Sequence, residues 1–495
     1  MTDRKLGSAV DIPDRTWVVW AISLSLLVAF TRVLALRSSS LDLLPDEAQY
    51  WSWSRHLAFG YFSKPPMIAW LIHATTAVFG DDEWAVRLSA PLLHAATGIA
   101  ICFIGKDLYG ARIGFISALI YATLPGVAFS GLVISTDAPL IWFWSVALLA
   151  FWRVWTRPSW VWSITLGVAF GLGMLSKYAM AYFLLGVAVH VALSARTERT
   201  AALRYLGVSA LIAVAVVVPN LAWNAAHGWA TIGHTAANAN WGAGGGLHLL
   251  ETAEFALAQF GIFGPLLLVA LILRVALLHR DKPVGGEGFL LAFAVPVLAL
   301  MLLQSGVSRA HANWAAVSYV AATILVVGWL DRRHLVWPIR LTLGLHVVAF
   351  SMLTLIFAGA IAVKLPKTAD IFHQMRGWRN LGDMVWRRMG TMPDGTNVAA
   401  DDREVMAELD YYLRGRPFAL AMATGKGPPG NQYELENAVT VETGAHLLLI
   451  SRFLDRHDIL DRYSQHALTE TWTIGAGQGR QRRYYVYDAS GFKEN

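Results

Sequence analysis

The sequence predicts an all-α, polytopic membrane protein with about eleven transmembrane helices, followed by a small C-terminal α/β domain. Of its 495 residues, 56% are hydrophobic and 15% are charged, whereas soluble domains have about 45–50% apolar and about 25% charged residues. Apolar segments close to the roughly 20 residues that cross a bilayer recur along most of the chain. The 21 tryptophans suit a protein with many side chains at membrane–water interfaces.

Eleven apolar segments are candidate spans, in chain order 17–36, 86–104, 113–132, 139–155, 161–175, 179–195, 206–223, 255–278, 289–303, 314–330 and 341–363. A signal peptide is the alternative for the first, because Val33-Leu34-Ala35 is a passable cleavage site. Its length and the presence of Arg32 favour a retained helix. Met67–Phe79 is too short to cross, so we expect it to lie in the membrane interface.

Lysines and arginines between these segments predict the orientation, because cytoplasmic loops are enriched in both. With a cytoplasmic N-terminus, the inside links hold Lys106, Arg112, Arg153, Arg157, Arg196, Arg199, Arg204, Arg274, Arg280, Lys282, Arg332, Arg333 and Arg340. The outside links hold fewer, namely Arg37, Arg55, Lys64, Arg87, Lys177 and Arg309. Because the basic residues lie in short links and not on one face, the net charge of +6 does not indicate a nucleic-acid partner.

An odd number of spans places everything after residue 363 outside the membrane. The predicted domains are a membrane domain, residues 1–363, with a large first external loop at 37–85, and an extracytoplasmic domain, residues 364–495. In the second domain, sequence patterns predict strands at 396–400, 418–423, 446–451, 472–474 and 483–487, and helices at 403–413 and 452–463. These elements are typical of a small α/β domain.

Polar residues on the predicted outer face form the candidate site. The first external loop holds the adjacent carboxylates Asp46 and Glu47 and, before a double proline, Lys64. Later outer links hold Asp137, Lys177, Arg309, His311 and Asn313. Acids alone suit a metal or proton site, and cations alone suit lipid headgroups. Together they suit group transfer from a phosphate, in which a carboxylate takes the proton of an incoming hydroxyl and cations stabilise the departing phosphate.

Structural roles are the alternatives for these residues. The loop acids could be ordinary solvated carboxylates, Asp137 the N-cap of a helix, and Lys64 a side chain reaching to headgroups. Glu83 and Arg87 are spaced for an i,i+4 ion pair in one helix. The alternative function is a transporter or channel for an anionic solute or a lipid-linked sugar. Charges are scarce within the spans, with Arg32 the main exception, which disfavours that function.

Five motifs, in chain order, together resemble those of the GT-C glycosyltransferases. They are Pro45-Asp46-Glu47-Ala48, Gly60-Tyr61-Phe62-Ser63-Lys64-Pro65-Pro66, Ser135-Thr136-Asp137-Ala138-Pro139, Ser176-Lys177-Tyr178 and His311-Ala312-Asn313-Trp314. The chain resembles in particular the bacterial relatives of protein O-mannosyltransferases, the lipid A aminoarabinose transferases and the galacturonosyltransferases that modify lipopolysaccharide. Gly377-Trp378-Arg379 and Asn431-Gln432-Tyr433 in the tail also look like this branch.

The resemblance implies a GT-C fold and an inverting glycosyltransferase that moves a sugar from a polyprenyl-phosphate-linked donor to an envelope acceptor. It implies a place in the bacterial inner membrane, with the active site and the C-terminal domain in the periplasm. The extra soluble modules of the protein O-mannosyltransferases are not found in the sequence. A glycolipid such as lipid A or the lipopolysaccharide core is therefore favoured over a protein acceptor, and the sugar stays open.

By position, Asp46 matches the family's candidate catalytic base, and Glu47 would orient it or contact the acceptor. Asp137 matches a second acidic motif. The residues that the resemblance implies as contacts of the donor phosphate or the sugar are Tyr61, Lys64, Lys177, Tyr178, Arg309, His311 and Asn313. No cofactor is certain. A divalent cation held by Asp46 and Asp137, with Glu47, is an open alternative.

Overall fold

The structure, a computed structural model, describes residues 12–239, 248–308, 310–363, 366, 370–425 and 427–493. Its helices, in chain order, are α1 (Asp14–Ser38), α2 (Pro45–Ser54), α3 (Met67–Phe79), α4 (Glu83–Arg87), α5 (Ser89–Tyr109), α6 (Ala111–Thr123), α7 (Pro125–Ser130), α8 (Asp137–Thr156), α9 (Trp160–Ser176), α10 (Phe183–Leu193), α11 (Arg196–Ala226), α12 (Ala230–Ala239), α13 (Leu249–Phe263), α14 (Pro265–Ala276), α15 (Glu287–Val307), α16 (Ser318–Arg332), α17 (Val336–Phe357), α18 (Trp378–Met389), α19 (Arg403–Tyr412), α20 (Gln432–Glu436) and α21 (His457–Leu460). Its strands are β1 (Asn397–Ala400), β2 (Leu420–Met422), β3 (His446–Ser451), β4 (Tyr463–Gly475) and β5 (Gln481–Phe492). Short 3-10 helices lie at Tyr178–Tyr182, Leu277–His279, Ala312–Ala315 and His373–Met375.

Within the described residues, six helical segments are long and apolar enough to cross a membrane. They are Asp14–Ser38, Glu83–Tyr109, Asp137–Thr156, Thr200–Ala226, Glu287–Val307 and Val336–Phe357. A seventh would consist of α13 and α14 together, which are bent by 114°. Shorter apolar helices include α3, α6 and α9. The chain is therefore a mostly helical, multi-span membrane protein with a small C-terminal sheet, and the count of eleven spans stays a prediction.

Two of the predicted spans are divided into two helices at a proline. Segment 113–132 is divided at Pro125 into α6 and α7, because proline supplies no N–H and disfavours helical geometry in the residue before it. Segment 255–278 is divided into α13 and α14, where Gly264 has a φ of +92° and Pro265 begins the second helix. Glycine adopts this left-handed conformation without the steric cost that a side chain would add.

The predicted helix at 452–463 is wrong. Only α21 is helical in this region, and Tyr463 already begins β4. Tyr463 pairs with Phe492 of β5, and the centroids of the two buried rings lie 5.3 Å apart. Cross-strand packing along the β4–β5 hairpin overrides the local helical pattern. The other predicted elements of the tail overlap with observed strands or helices.

The chain forms two compact units. The first contains Met1–Arg37, Leu88–Ala226 and Thr235–Leu355, and the second contains Ser38–Arg87, His227–His234 and Ile356–Asn495. The segment predicted as the first external loop therefore belongs to the same unit as the C-terminal α/β elements. This grouping differs from the assignment of that loop to the membrane domain.

The first unit is an apolar helix bundle. Its core includes the buried rings of Trp144, Phe151, Phe183, Phe289 and Phe293. Close packing of α9 on α11 depends on two glycines. A Cβ on Gly167 would lie 2.5 Å from the carbonyl oxygen of Ser209, and a Cβ on Gly171 would lie 2.6 Å from the Cβ of Val216. Small residues four positions apart are a typical means by which membrane helices approach each other.

Arg32, the exceptional charge in the first predicted span, has structural partners. It is buried, and its Nη2 donates to the carbonyl oxygens of Ala122 at 2.9 Å and Val127 at 3.1 Å. These carbonyls flank the break at Pro125, where regular helical hydrogen bonding is interrupted. Gly131 makes room for the side chain, since a Cβ there would lie 2.7 Å from the Cζ of Arg32. The arginine therefore stabilises a helix break and gives no support to a transport path.

The second unit contains a five-stranded mixed sheet in the order β2-β1-β3-β5-β4. Strand β1 is parallel to β2 and β3, and β5 is antiparallel to β3 and β4. Val398 of β1 pairs with Leu420 and Leu448, and Leu449 of β3 pairs with Tyr487. Strands β1 and β3 are mostly apolar and buried, as expected for strands covered on both faces.

Capping residues fix where two helices of the second unit begin. The side chain of Asp402 accepts two backbone N–H bonds, at 3.0 and 3.1 Å, from the first turn of α19. The side chain of Asn431 accepts one at 3.1 Å from the first turn of α20. Such caps satisfy N–H groups that a helix start leaves without partners. Arg403 and Gln432 are consequently held as the first residues of their helices.

Glu408 of α19 is a buried carboxyl group whose ionisation should affect the stability of this unit. It is 1% exposed, and neither carboxyl oxygen has a hydrogen-bond partner among the described residues. Burial, and then the charges of Asp42 and Glu47, raise the pKa of Glu408 well above its usual value of 4.5. The folded state therefore keeps a proton that the unfolded chain releases above this value. Stability must then fall as the pH rises.

The change Glu408→Gln is expected to stabilise the protein above pH 4.5 and to leave its stability nearly unchanged below this pH. The gain should grow by about 1.4 kcal/mol per pH unit until the pH reaches the raised pKa, giving at most roughly 3 kcal/mol at pH 7. Thermal unfolding of the detergent-solubilised chain across this pH range measures the effect. Glu404→Gln, at a more exposed position of the same helix, is the control. A stability difference that does not vary with pH would contradict the prediction.

Candidate functional site

Asp46 and Glu47 are adjacent but have different surroundings. Both lie in the first turn of α2, which begins at Pro45. The Oε2 of Glu47 accepts the backbone N–H of Leu44 at 2.9 Å, which satisfies one of the N–H groups left free at a helix start. The Glu47 side chain is 0% exposed, whereas that of Asp46 is 59% exposed. Of the two carboxylates, Asp46 is the one that a substrate can reach.

Arg87 holds Glu47 in place. Its Nη2 donates to the Oε2 of Glu47 at 2.7 Å, and its Nε lies 3.0 Å from both carboxylate oxygens. The same guanidinium donates to the carbonyl oxygens of Asp42 at 2.7 Å and Leu41 at 3.3 Å. The ion pair is completely buried, and its bidentate geometry satisfies both partners. The carboxylate of Glu47 therefore has no exposed surface in this structure.

Residues of the tail motif bind the same segment. The predicted i,i+4 pair of Glu83 with Arg87 is wrong, because Glu83 pairs with Arg379. The adjacent Trp378 donates its backbone N–H to the carboxylate of Asp42 at 2.8 Å. Both partners are distant in sequence, so local spacing could not reveal them. Trp378 and Arg379 therefore connect the C-terminal elements to the segment that holds Asp42 and Glu83, within the second unit.

Arg403, which the sequence motifs did not indicate, contacts Asp46. Its Nη1 donates to the Oδ1 of Asp46 at 2.9 Å and to the Oε1 of Gln49, about one turn further along α2. Asp46 and Arg403 are 357 residues apart in the sequence. Arg403 follows the N-cap Asp402 shortly after β1, a position that the sequence can reveal. Only the fold shows that its side chain contacts Asp46.

Tyr61 lies in the core and not where a donor could contact it. It is 2% exposed, and its ring stacks on that of Trp53 with a centroid distance of 4.7 Å. Its hydroxyl is within hydrogen-bonding distance of the carbonyl oxygens of Trp53 and His56, and burial raises the pKa of Tyr61 to about 12. Its backbone N–H donates to the carbonyl oxygen of Lys64 at 3.1 Å. Tyr61 thus anchors the loop that carries Lys64.

This loop is held by two further contacts within the second unit. The hydroxyl of Thr231 donates to the carbonyl oxygen of Tyr61 at 2.6 Å. The backbone N–H of Phe62 donates to the Oε1 of Gln432 at 2.6 Å. Gln432 belongs to the second tail motif and is the first residue of α20, so the cap at its start also fixes the position of the Lys64 loop.

His234 was not predicted, and its surroundings connect Lys64 with Arg403. Its ring packs edge-on against Phe62, with centroids 5.9 Å apart. Burial lowers the pKa of His234, and the charges of Lys64 and Arg403 lower it further. Lys64 and Arg403 therefore both contribute positive charge around His234. Arg403 is also bound to Asp46.

Asp137, Lys177 and Asn313 form a polar cluster in the first unit. The Nζ of Lys177 lies 2.7 Å from the Oδ1 of Asp137, and the Nδ2 of Asn313 donates to its Oδ2 at 2.5 Å. The side chains of Asp137 and Lys177 are only 11% and 20% exposed. Although α8 begins at Asp137, this carboxylate does not act as an N-cap. The structure brings these three predicted residues together.

Two other predicted residues of the first unit, Tyr178 and His311, have partners outside this cluster. The hydroxyl of Tyr178 donates to the Oδ1 of Asn220 at 2.8 Å. The ring of His311 packs edge-to-face on Trp314, with centroids 5.4 Å apart. Arg309 lies outside the described residues.

Two of the three carboxylates considered for a metal ion, Glu47 and Asp137, have protein partners on both oxygens. Both oxygens of Glu47 are bonded to Arg87, and the two oxygens of Asp137 are bonded to Lys177 and Asn313. Over the described ranges, no group of three or more His, Cys, Asp or Glu side chains is placed to hold a metal ion.

Comparisons with known proteins identify the family. Residues 63–223 match the family model described as dolichyl-phosphate-mannose-protein mannosyltransferase. The chain is 33% identical over 433 residues to the lipid A galacturonosyltransferase RgtD of Rhizobium johnstonii, covering 86% of this chain and 90% of the relative. The chain belongs to the GT-C glycosyltransferases. The resemblance that the motifs indicated is confirmed. The function of the chain is therefore that of a glycosyltransferase and not of a transporter or channel.

This GT-C glycosyltransferase has further relatives. It is 28% identical over 220 residues, 40% of each chain, to the undecaprenyl phosphate-alpha-4-amino-4-deoxy-L-arabinose arabinosyl transferase 1 of Pseudomonas fluorescens. The crystal structure of ArnT from Cupriavidus metallidurans bound to undecaprenyl phosphate matches with a TM-score of 0.65 at 16% identity, covering 95% of this chain and 98% of that chain. At this identity the match shows a shared fold, which confirms the GT-C type of architecture.

Proposed function

We propose that this glycosyltransferase moves a sugar from a polyprenyl-phosphate-linked donor to lipid A or the lipopolysaccharide core, at the periplasmic face of the bacterial inner membrane. The observation that carries the proposal is the 33% identity to a lipid A galacturonosyltransferase over 86% of the chain. The name of a second relative specifies undecaprenyl phosphate and aminoarabinose, which supports this class of donor. Galacturonate is therefore the first sugar to test, and aminoarabinose is the second.

Asp46 is the proposed catalytic base, because its carboxylate is exposed while that of Glu47 is buried. The acceptor oxygen forms a bond to the anomeric carbon as the bond from that carbon to the donor phosphate oxygen breaks. Asp46 takes the proton of the acceptor hydroxyl. The polyprenyl phosphate leaves with the bonding electrons, and the displacement inverts the configuration of the anomeric carbon.

Positive charge should stabilise the departing phosphate. In the second unit, Lys64 is proposed for this role, since its loop is held by backbone and side-chain contacts near His234 and Arg403. In the first unit, the proposed contacts of the donor or the sugar are Asp137, Lys177, Tyr178, Arg309, His311 and Asn313. A donor that resides in the bilayer needs no nucleotide pocket.

A transfer assay tests the proposal. The full chain in phosphatidylcholine nanodiscs receives undecaprenyl phosphate-galacturonate and lipid A, and mass spectrometry follows both lipids. We expect one galacturonate to be added to lipid A for each undecaprenyl phosphate released. The absence of product with this donor and with the aminoarabinose donor, on lipid A and on the lipopolysaccharide core, would contradict the proposal. Repeating the assay with a chelator measures any need for a divalent cation.

The change Arg403→Gln is expected to lower kcat about 10- to 100-fold, because small displacements of a catalytic group cost up to about 10²-fold. Stability should change by only about 0–1 kcal/mol, since the paired side chains of Arg403 and Asp46 are 35% and 59% exposed. Steady-state kinetics and thermal unfolding separate the two effects, and Arg403→Lys should restore part of kcat. Arg452→Gln, whose ion pairs with Asp402 and Glu404 lie at the same helix start, is the matched control. An unchanged kcat in Arg403→Gln, or an equal loss in the control, would exclude a role of Arg403 in positioning Asp46.

A further inference from the structure

A cationic cleft lies in the second unit, and its lining contains none of the residues assigned to the transfer chemistry. It has a volume of about 390 Å³. Its lining consists of Arg379, Asp383, Tyr412, Arg414, Gly415 and Arg416. Three arginines therefore face one aspartate. The lining comes from α18 and from the end of α19 with the turn that follows it.

Each of the three guanidinium groups lies over an aromatic ring. The distances from Cζ to the ring centroid are 4.0 Å for Arg416 over Trp386, 4.3 Å for Arg414 over Tyr411 and 5.2 Å for Arg379 over Tyr412. Stacking restricts the plane of a guanidinium and leaves its N–H edges available to a ligand. These arginines are therefore partly ordered before any ligand binds.

The backbone places two of them at the cleft. Gly415, in the turn that follows α19, has a φ of +75°, a left-handed conformation that a side chain would strain. Arg414 and Arg416 flank this glycine. Arg414 also donates to the carbonyl oxygen of Tyr411 at 2.8 Å, which helps to keep it over the ring of the same residue.

The charges of Arg414 and Arg416 are not neutralised by described carboxylates. Arg379 pairs with Glu83, but among the described residues Arg414 and Arg416 have no carboxylate within ion-pair distance. Asp383, the acid of the lining, is exposed and opposes an anion in the cleft. The cleft thus has two available guanidinium edges and a single unfavourable carboxylate.

We infer that this cleft binds the phosphate of a phosphorylated saccharide. A phosphate presents three acceptor oxygens, which the planar forks of two arginines can bind in pairs. A cleft of about 390 Å³ is large enough for one sugar residue beside the phosphate. In the proposed function, on which this last step rests, the saccharide belongs to the glycolipid acceptor, so the cleft docks the acceptor while Asp46 acts on its hydroxyl.

Calorimetric titration of the full chain in phosphatidylcholine nanodiscs with glucosamine 6-phosphate tests the inference. The double change Arg414→Gln with Arg416→Gln should weaken binding at least 10-fold. Asp383→Asn should tighten it about threefold or more, and this gain remains informative if the double variant folds poorly. Two exposed arginines outside the lining, Arg387 and Arg483, are changed to glutamine as the charge-matched control, which should bind like the unchanged chain.

Three results would overturn the inference: equal binding by the double variant and the unchanged chain, an equal loss in the charge-matched control, or equal binding of unphosphorylated glucosamine. Loss of binding when phosphatidylglycerol replaces phosphatidylcholine would assign the cleft to bilayer headgroups and also overturn it. Asp46→Asn should keep full binding. Failure of the base assignment and failure of the docking site are therefore separate outcomes.

Discussion

Replacing Asp46 by asparagine is expected to lower the rate of transfer by about 10²- to 10⁴-fold, the usual contribution of a positioned general base. Asparagine has the same shape and can still accept a hydrogen bond from Arg403, but it cannot take the proton of the acceptor. Because the Asp46 side chain is 59% exposed, folding should change little. The rate of sugar addition to the acceptor measures the effect, and thermal unfolding confirms that the variant is folded.

Lipids that copurify with the protein provide a second readout of the same change. An inactive Asp46→Asn variant should retain its donor, so mass spectrometry should find a polyprenyl-phosphate sugar enriched relative to the unchanged chain. That result would also name the sugar. Asp394→Asn, at an exposed position of the same unit, is the control and should transfer normally. Near-normal transfer by Asp46→Asn would rule out its role as the base.

Much of the helical architecture could be predicted because long apolar segments carry a strong signal. The short apolar segment Met67–Phe79 was predicted with the bounds that α3 has. The breaks at Pro125 and at Gly264 were missed because an average over an apolar segment hides a single residue. The β4–β5 hairpin was underestimated for a different reason, since its exposed face is polar and its pairing depends on a partner strand.

For the candidate site, the sequence revealed the reactive groups but not their partners. Asp46 and Lys64 were visible as charges in an otherwise apolar neighbourhood. Arg87 had a local alternative partner in Glu83, four residues away, and the observed pair with Glu47 spans 40 residues. Arg403 lies 357 residues from Asp46. Contacts of this kind depend on how the strands and caps of the C-terminal elements place each side chain, which no local pattern records.

Breaking the Glu47–Arg87 pair by Arg87→Met is expected to destabilise the protein by about 3–5 kcal/mol, because a buried carboxylate is left without its partner. The exposures of the two side chains are 0% and 1%, so water cannot replace the lost donor. Denaturant-induced unfolding in detergent measures the change. Arg55→Met is the matched control, since its ion pair with Asp81 is 48% and 30% exposed, and it should cost only about 0–1 kcal/mol. Equal effects of the two changes would show that the Glu47–Arg87 pair is not buried in the folded protein.

A double variant, Glu47→Gln with Arg87→Met, separates stability from positioning. With both charges removed, no buried charge remains unpaired, so the double variant should be more stable than Arg87→Met alone. Asp46 is the neighbour of Glu47 in the first turn of α2, and that turn loses its bidentate anchor in both variants. If the pair serves to orient Asp46, kcat stays low in the double variant even though stability is partly regained. Recovery of both stability and kcat would instead show that the pair contributes to folding alone.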